Sequence, residues 1–165
     1  MAVTNMTERT IELARVFPLE AVVFGFDDTS SKHAVISALV HRLVTLGTIS
    51  EKEEQSLVRA IMAREMLGTT ALGNGVAFPH VRTKLTGQLI GVLGLEPSGL
   101  RFDALDGSLV YGVFLLLAPE NVTQEYFEVL GRIAAIGKDK SLRLQLRGCR
   151  SPAAVQFLLQ QLDAE

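Results

Sequence analysis

Two apolar runs, Leu89–Leu95 and Leu109–Leu117, limit what this chain can fold into more than any other feature. Both are rich in apolar and β-branched residues, and turn formers bound them: Gly87, Pro97 and Gly99 around the first, Gly107 and Pro119 around the second. Runs of this kind read as central strands buried on both faces. A sheet buried on both faces needs cover on two sides, and the flanking segments supply helices. The expected class is therefore a layered α/β domain.

The covering helices are legible from spacing. After a strand-like stretch over Glu20–Phe26, the polar cluster Asp27–Ser31 offers N-cap residues for a helix from about Lys32 to Leu46. Its apolar positions Val35, Leu39, Leu43 and Leu46 recur at helical period, and Gly47 ends it. Ser50 and Glu53 have capping-box spacing, which predicts a second helix over Glu51–Met66 with Leu57, Ile61 and Leu67 on its buried side and Gly68 as its stop. A glycine turn then leads to a short strand, Val76-Ala77-Phe78, and residues 101–107 form a loop with a tight turn. Beyond Pro119, helices are expected over Thr123–Ile136, Ser141–Leu146 and Pro152–Leu162, the last capped by Ser151. Residues 1–10 are expected to be a flexible arm, and residues 11–165 a single domain.

Composition removes several classes of function. The longest unbroken apolar run, Val113–Ala118, is far short of the ~20 residues that cross a bilayer. The polar N-terminus is no secretory signal, and Cys149, the only cysteine, allows neither an internal disulfide nor a cysteine metal cluster. A cytoplasmic location without membrane insertion is the expectation. With a net charge of −2 and no basic stripe, no nucleic-acid surface is expected. Lys138, Lys140, Arg143, Arg147 and Arg150 come nearest to one; they read as a solvated helix face, with a docking surface for an acidic partner as the alternative.

Candidate chemistry centres on one of the three histidines. His33 and His41 fall on the first long helix and read as surface or boundary residues. His80 follows Gly73-Asn74-Gly75, the apolar Val76-Ala77-Phe78 and Pro79. Proline stiffens the backbone there and favours extended geometry in the residue before it, so the imidazole is presented in a fixed orientation. Taken alone, a Pro-His pair reads first as a structural or loop histidine. A metal-dependent hydrolase would need further histidines or clustered carboxylates near His80 in sequence, which this segment does not offer. No cofactor is expected.

Read whole, the segment from Arg64-Glu65 through Gly68-Thr69-Thr70 and Gly73-Asn74-Gly75 to Pro79-His80 resembles the active-site region of the mannitol/fructose class of enzyme IIA domains, which includes the nitrogen-related enzyme IIA. The resemblance continues through Phe102-Asp103-Ala104-Leu105-Asp106-Gly107 and Val113–Glu120, and covers the chain from about residue 15. It implies a mixed central β-sheet with helices on both faces. It also implies a phosphocarrier of the phosphoenolpyruvate:sugar phosphotransferase system. The histidine matching His80 would accept a phosphoryl group from the small carrier HPr, then pass it to a IIB permease domain or hold it as a regulatory mark. A non-catalytic regulatory binding module on the same fold is the alternative.

Around His80, Arg64 could donate to the phosphoryl oxygens, or simply complement the dipole of its helix. Thr69 and Thr70 could add hydroxyl donors, or only shape the turn. Asn74 suits a left-handed backbone, and Asp103 and Asp106 are expected to organise their loop without taking part in chemistry. Relatives that serve sugar transport usually carry a second histidine where this chain has Tyr126. Tyr126 can donate a hydrogen bond but is a poor proton shuttle at neutral pH, so onward transfer is expected to be slow or the phosphorylated state long-lived. Packing beside Leu130 and Ile133 is the competing reading of Tyr126. With no IIB, IIC or HPr domain recognised in these residues, regulation is expected ahead of sugar uptake.

Overall fold

The computed structural model describes residues 11–121 and 124–165. The expected arm over residues 1–10 and the expected helix start at Thr123 lie outside the described residues. The fold is α/β, and among the described residues the five strands form one mixed sheet with helices on both faces.

The antiparallel pair β4 (Ile90–Leu100) and β5 (Val110–Pro119) makes the centre of that sheet. β1 (Val22–Phe24) lies parallel to β4, and β2 (Val76–Ala77) and β3 (His80–Thr83) follow one another along the other edge of β5, both parallel to it. Alternation along β5 divides the core. Val113, Leu115 and Leu117 face α2 (Lys32–Thr45) and α3 (Glu54–Met66), while Phe114, Leu116 and Ala118 face α1 (Leu13–Val16), α4 (Gln124–Lys138), α5 (Lys140–Gly148) and α6 (Pro152–Asp163).

Several expectations are corrected. β4 runs on through Pro97 and Gly99, which were expected to bound it, because a register shift between Leu95 and Leu100 absorbs them and pairing resumes at Leu100 with Val110. β1 is short because residues Leu19–Ala21 form a 3-10 turn. The Ser50/Glu53 capping box does not form. Glu51–Glu53 is a 3-10 turn in which the Glu53 N–H donates to the Ser50 backbone carbonyl at 2.9 Å, so that N–H is not left for the serine side chain. Leu57 and Ile61 are buried as expected, but Leu46 and Leu67 are exposed, each falling just past the end of its helix, where the chain leaves the packed face. The caps at Ser31, whose Oγ accepts from the Ala34 N–H, and at Ser151, whose Oγ accepts from the Ala154 N–H, are as expected.

The basic cluster near the C-terminus is largely occupied. Arg143 donates to the Gly137 carbonyl at 2.8 Å, Arg150 to those of Arg147 and Cys149, and the Arg147 guanidinium lies 3.7 Å from the Tyr111 ring centroid. These contacts favour the reading as helix ends and a helix face.

α1 has no signature in the sequence pattern, yet it closes one end of the core. The N–H groups of Leu13 and Ala14 donate to the Asp163 carboxylate at 2.8 and 2.9 Å, and Arg132 lies 3.0 Å from that carboxylate. Phe17, just beyond α1, packs edge-on against Phe114 with ring centroids 5.4 Å apart. Its ring fills the space over Gly91, where a Cβ would fall 2.4 Å from the ring. Gly91→Ala should therefore lower stability by about 1–3 kcal/mol, the usual cost of overpacking a filled core. A shifted urea midpoint checks this; an unchanged midpoint would mean that Phe17 can swing aside freely.

Candidate active site

The site forms where the edge of the sheet meets the ends of two helices. Asn74 takes the left-handed backbone that its residue type suggested, with φ 64°. Asp106 holds this turn from across the fold: one carboxylate oxygen accepts from the Asn74 N–H at 3.1 Å and the other from the N–H and hydroxyl of Ser108. Those hydrogen bonds hold its carboxyl below the usual carboxylate range. Gly73, next to it, has φ 140°, and a Cβ there would fall 2.9 Å from Asp106. Asp106 thus organises the loop, as expected.

The strand β2 stops at Ala77, one residue short of the expected Val76-Ala77-Phe78, and pairing with β5 resumes at His80, so His80 opens a strand of its own. Pro79 has no N–H to give the ladder, but its carbonyl still accepts from the Leu116 N–H at 2.9 Å. The result is a rigid step that sets the imidazole at the sheet edge.

His80 is half-buried, and its Nδ1 lies 2.8 Å from the Phe78 carbonyl oxygen. A carbonyl only accepts, so Nδ1 carries the proton and Nε2 keeps its lone pair. The ring stacks on Phe78 (centroids 6.0 Å apart, planes 11° apart) and meets Tyr126 edge-on at 5.8 Å. Burial is the largest influence on its basicity and pushes the pKa below the ordinary 6.5. The bond to Phe78 opposes this, the charge of Arg64 adds to the lowering, and the charge of Glu65 pulls back upward.

Arg64 lies at the end of α3, within electrostatic reach of His80. Its Nη1 donates to the Gly68 carbonyl at 3.1 Å, closing the end of α3, and its charge acts on His80 and Tyr126. Thr69 and Thr70 belong to a different network. Glu65, buried on α3, accepts from the N–H and hydroxyl of Thr70 and from Lys32 Nζ at 3.0 Å. The Thr69 hydroxyl oxygen accepts from the Ala71 N–H at 3.1 Å and from Lys32 at 3.5 Å. The Thr70 hydroxyl proton is thus committed to Glu65, whereas Thr69 accepts twice and still has a proton to give.

Tyr126 is buried on α4 and stands against His80. Burial raises its pKa above the ordinary tyrosine value, with Arg82 and Arg64 opposing, so its hydroxyl stays protonated at neutral pH. It also packs in the same core cluster as Ile133, with Leu130 against that cluster, so its packing reading holds as well.

Sequence reading missed Arg82. Its guanidinium lies 5.3 Å from the Tyr126 ring centroid and 5.8 Å from that of Phe127. Period-two alternation could have found it: once a strand is known to resume at His80, the side chain two residues on shares its face. His33 and His41 are exposed, and His41 pairs with Glu54 at 2.8 Å.

Comparison with known proteins shows the family and the fold of this chain. Residues 16–162 match the model of the family described as phosphoenolpyruvate-dependent sugar phosphotransferase system, EIIA 2. A nitrogen regulatory protein of Bradyrhizobium diazoefficiens is 33% identical over 140 residues, covering 85% of this chain and 89% of that protein. The crystal structure of the nitrogen regulatory protein IIA-Ntr from Neisseria meningitidis superposes with a TM-score of 0.76 at 33% identity, covering 88% and 97% of the two chains. Enzyme IIA mannitol of Escherichia coli, solved in complex with phosphorylated enzyme IIB mannitol, shares the fold at a TM-score of 0.68 and 24% identity, covering 86% and 95%. Among the described residues no helix is long and apolar enough to cross a membrane.

Proposed function

The chain belongs to the EIIA 2 family of the phosphoenolpyruvate-dependent sugar phosphotransferase system, and on that premise we propose that His80 is a phosphoryl acceptor fed by an HPr-like carrier. The observation that carries this reading is the 2.8 Å contact of Nδ1 with the Phe78 carbonyl, which leaves Nε2 as a neutral nucleophile on a rigid strand. In the transfer, Nε2 forms a bond to phosphorus as the bond to the donor imidazole breaks. The donor leaves with that electron pair as a neutral imidazole already protonated on its other nitrogen. His80 keeps its Nδ1 proton on Phe78, and the positive charge its ring gains is offset by the phosphoryl dianion. The protein's part is placement and electrostatic support.

Two observations favour use of the phosphoryl group as a regulatory mark over delivery to a IIB domain. Tyr126 stays protonated and offers no basic nitrogen beside His80. The relatives at 33% identity are named as nitrogen regulatory proteins. Delivery to a IIB domain has the support of the complex solved for enzyme IIA mannitol.

The test is to incubate the protein with phosphoenolpyruvate, enzyme I and HPr and to record intact mass under non-acidic conditions. One acid-labile phosphoryl increment is expected. No increment, with HPr phosphorylated in the same tube, would defeat the carrier reading in favour of a binding module.

A pH prediction follows from the burial of the ring. With the His80 pKa lowered from 6.5, an NMR titration of its ring proton should show a midpoint below 6.5, so the neutral nucleophile predominates at that pH. The unfolded chain binds the proton more readily, so folding stability from this group is fully present above pH 6.5 and is lost as the pH falls through the lowered pKa. A midpoint at or above 6.5 would contradict both statements.

A further inference from the structure

Two residues along β3 from His80, on the same side of the strand, the structure holds a cation. Arg82 is exposed and forms no ion pair among the described residues, where the pairs are Lys32–Glu65, His41–Glu54 and Arg132–Asp163. Two aromatic rings of α4 hold it: Tyr126 at 5.3 Å and Phe127 at 5.8 Å, themselves 5.4 Å apart and inclined at 60°. Phe127 is 58% exposed, so its ring can meet Arg82 at the surface. Aromatic contact attracts a guanidinium through the ring quadrupole, and beyond the hydrogen bond that Arg82 shares with the Tyr126 hydroxyl, others of its five N–H groups are left to bind an anion. Tyr126 touches Arg82 and His80 alike, so one ring links the cation to the nucleophile.

We propose that Arg82 binds the phosphoryl oxygens during transfer to His80 and in the phosphorylated state, with Tyr126 and Phe127 as the platform that positions it. This rests on the reading of His80 as the acceptor. The reacting bonds are those already described: Arg82 donates hydrogen bonds to the equatorial oxygens and exchanges no proton. Arg64, whose charge also reaches His80, has one of its nitrogens closing α3 on the Gly68 carbonyl, and Arg82 would act beside it rather than in its place. The assignment also gives Tyr126 a role that a proton shuttle does not require. An aromatic face there holds a permanent cation, which supplies the positive charge that tyrosine itself lacks.

Phosphoramidate tests this, because it is a small phosphoryl donor with no protein surface to dock. Its P–N bond breaks as the bond to Nε2 forms, and ammonia leaves with the electron pair. The rate of His80 labelling is read by intact mass for the wild type, Arg82→Gln, Arg82→Lys and Lys84→Gln, each checked for folding by thermal melt. Arg82→Gln should label about 100-fold more slowly, as for other preorganised donors to a developing charge. Arg82→Lys should fall about tenfold, since an ammonium keeps the charge but loses the planar fork. Lys84→Gln removes the same charge from the next turn and should label at the wild-type rate.

A loss in Arg82→Gln smaller than about tenfold overturns the assignment, and so does an equal loss in Lys84→Gln, which would mean diffuse charge rather than contact. Labelling of the wild type by phosphoramidate but not by phosphorylated HPr defeats the HPr reading while Arg82 is still judged on its own rates. Failure of the wild type to label with either donor overturns both.

Discussion

Replacing His80 by alanine should abolish the phosphoryl increment outright, with folding nearly unchanged. The ring is half-buried at a sheet edge and makes one hydrogen bond, to Phe78. Its loss should cost about 1 kcal/mol, the net worth of an ordinary hydrogen bond, because the Phe78 carbonyl can turn to water at this rim. The loss of function should be complete, since no other side chain there offers a neutral nitrogen lone pair. Tyr126 is a protonated hydroxyl, and Arg64 and Arg82 are permanent cations. Intact mass beside a thermal melt separates the two effects. A retained increment in a well-folded His80→Ala protein would place the phosphoryl group elsewhere, with His33 and His41 as the remaining histidines to map.

Glu65→Ala should be the most destabilising single substitution at the site. The Glu65 side chain is 1% exposed and pairs with Lys32 Nζ at 3.0 Å, itself only 12% exposed. The same carboxylate accepts from the N–H and the hydroxyl of Thr70, which is also buried. Truncation leaves an ammonium, a hydroxyl and an amide N–H without their partner in a place where water enters poorly. Breaking a buried pair from one side costs about 3–5 kcal/mol, a large part of the 5–15 kcal/mol that is typical of a whole domain. At about 2–4 °C per kcal/mol for a chain of this size, Tm should drop by roughly 10 °C. Glu65→Gln should cost less, because an amide oxygen still accepts from Thr70 while only the charge opposite Lys32 is lost. Equal melting temperatures for Glu65→Ala and the wild type would show that Lys32 finds solvent when freed. The network also ties the end of α3, which carries Arg64, to the turn after it. Phosphoryl acceptance in Glu65→Ala should accordingly fall even at temperatures where the variant is folded.

Sequence pattern reaches as far as local geometry reaches. The stripe Val35, Leu39, Leu43 is read correctly because helical period is a property of neighbouring residues, and the same holds for Asn74 in its left-handed turn. The two long apolar runs identify β4 and β5 because only strands buried on both faces need them. His80 becomes a candidate through the order of a whole segment rather than through any one residue. Local signals mislead where backbone groups find a nearer partner: Ser50 and Glu53 have the spacing of a capping box, but the Glu53 N–H meets the Ser50 carbonyl first.

The sequence by itself thus determined the α/β class, the two long helices after β1 and the histidine at the Pro79 step. Tertiary structure alone decided which distant residues meet near that histidine, and Arg82 against Tyr126 is the pair that sequence pattern did not reach. Arg82 and Tyr126 are separated by the whole of β4 and β5 in the chain, yet α4 brings them into contact. Asp163 holds the N–H groups of α1 across a separation of 150 residues, and Asp106 holds Asn74 across 32. Charges and hydrogen bonds act over a few ångströms of space, and only packing of the sheet between its helices fixes which residues fall within that reach. Period and propensity describe one element at a time, whereas a site is made where several meet.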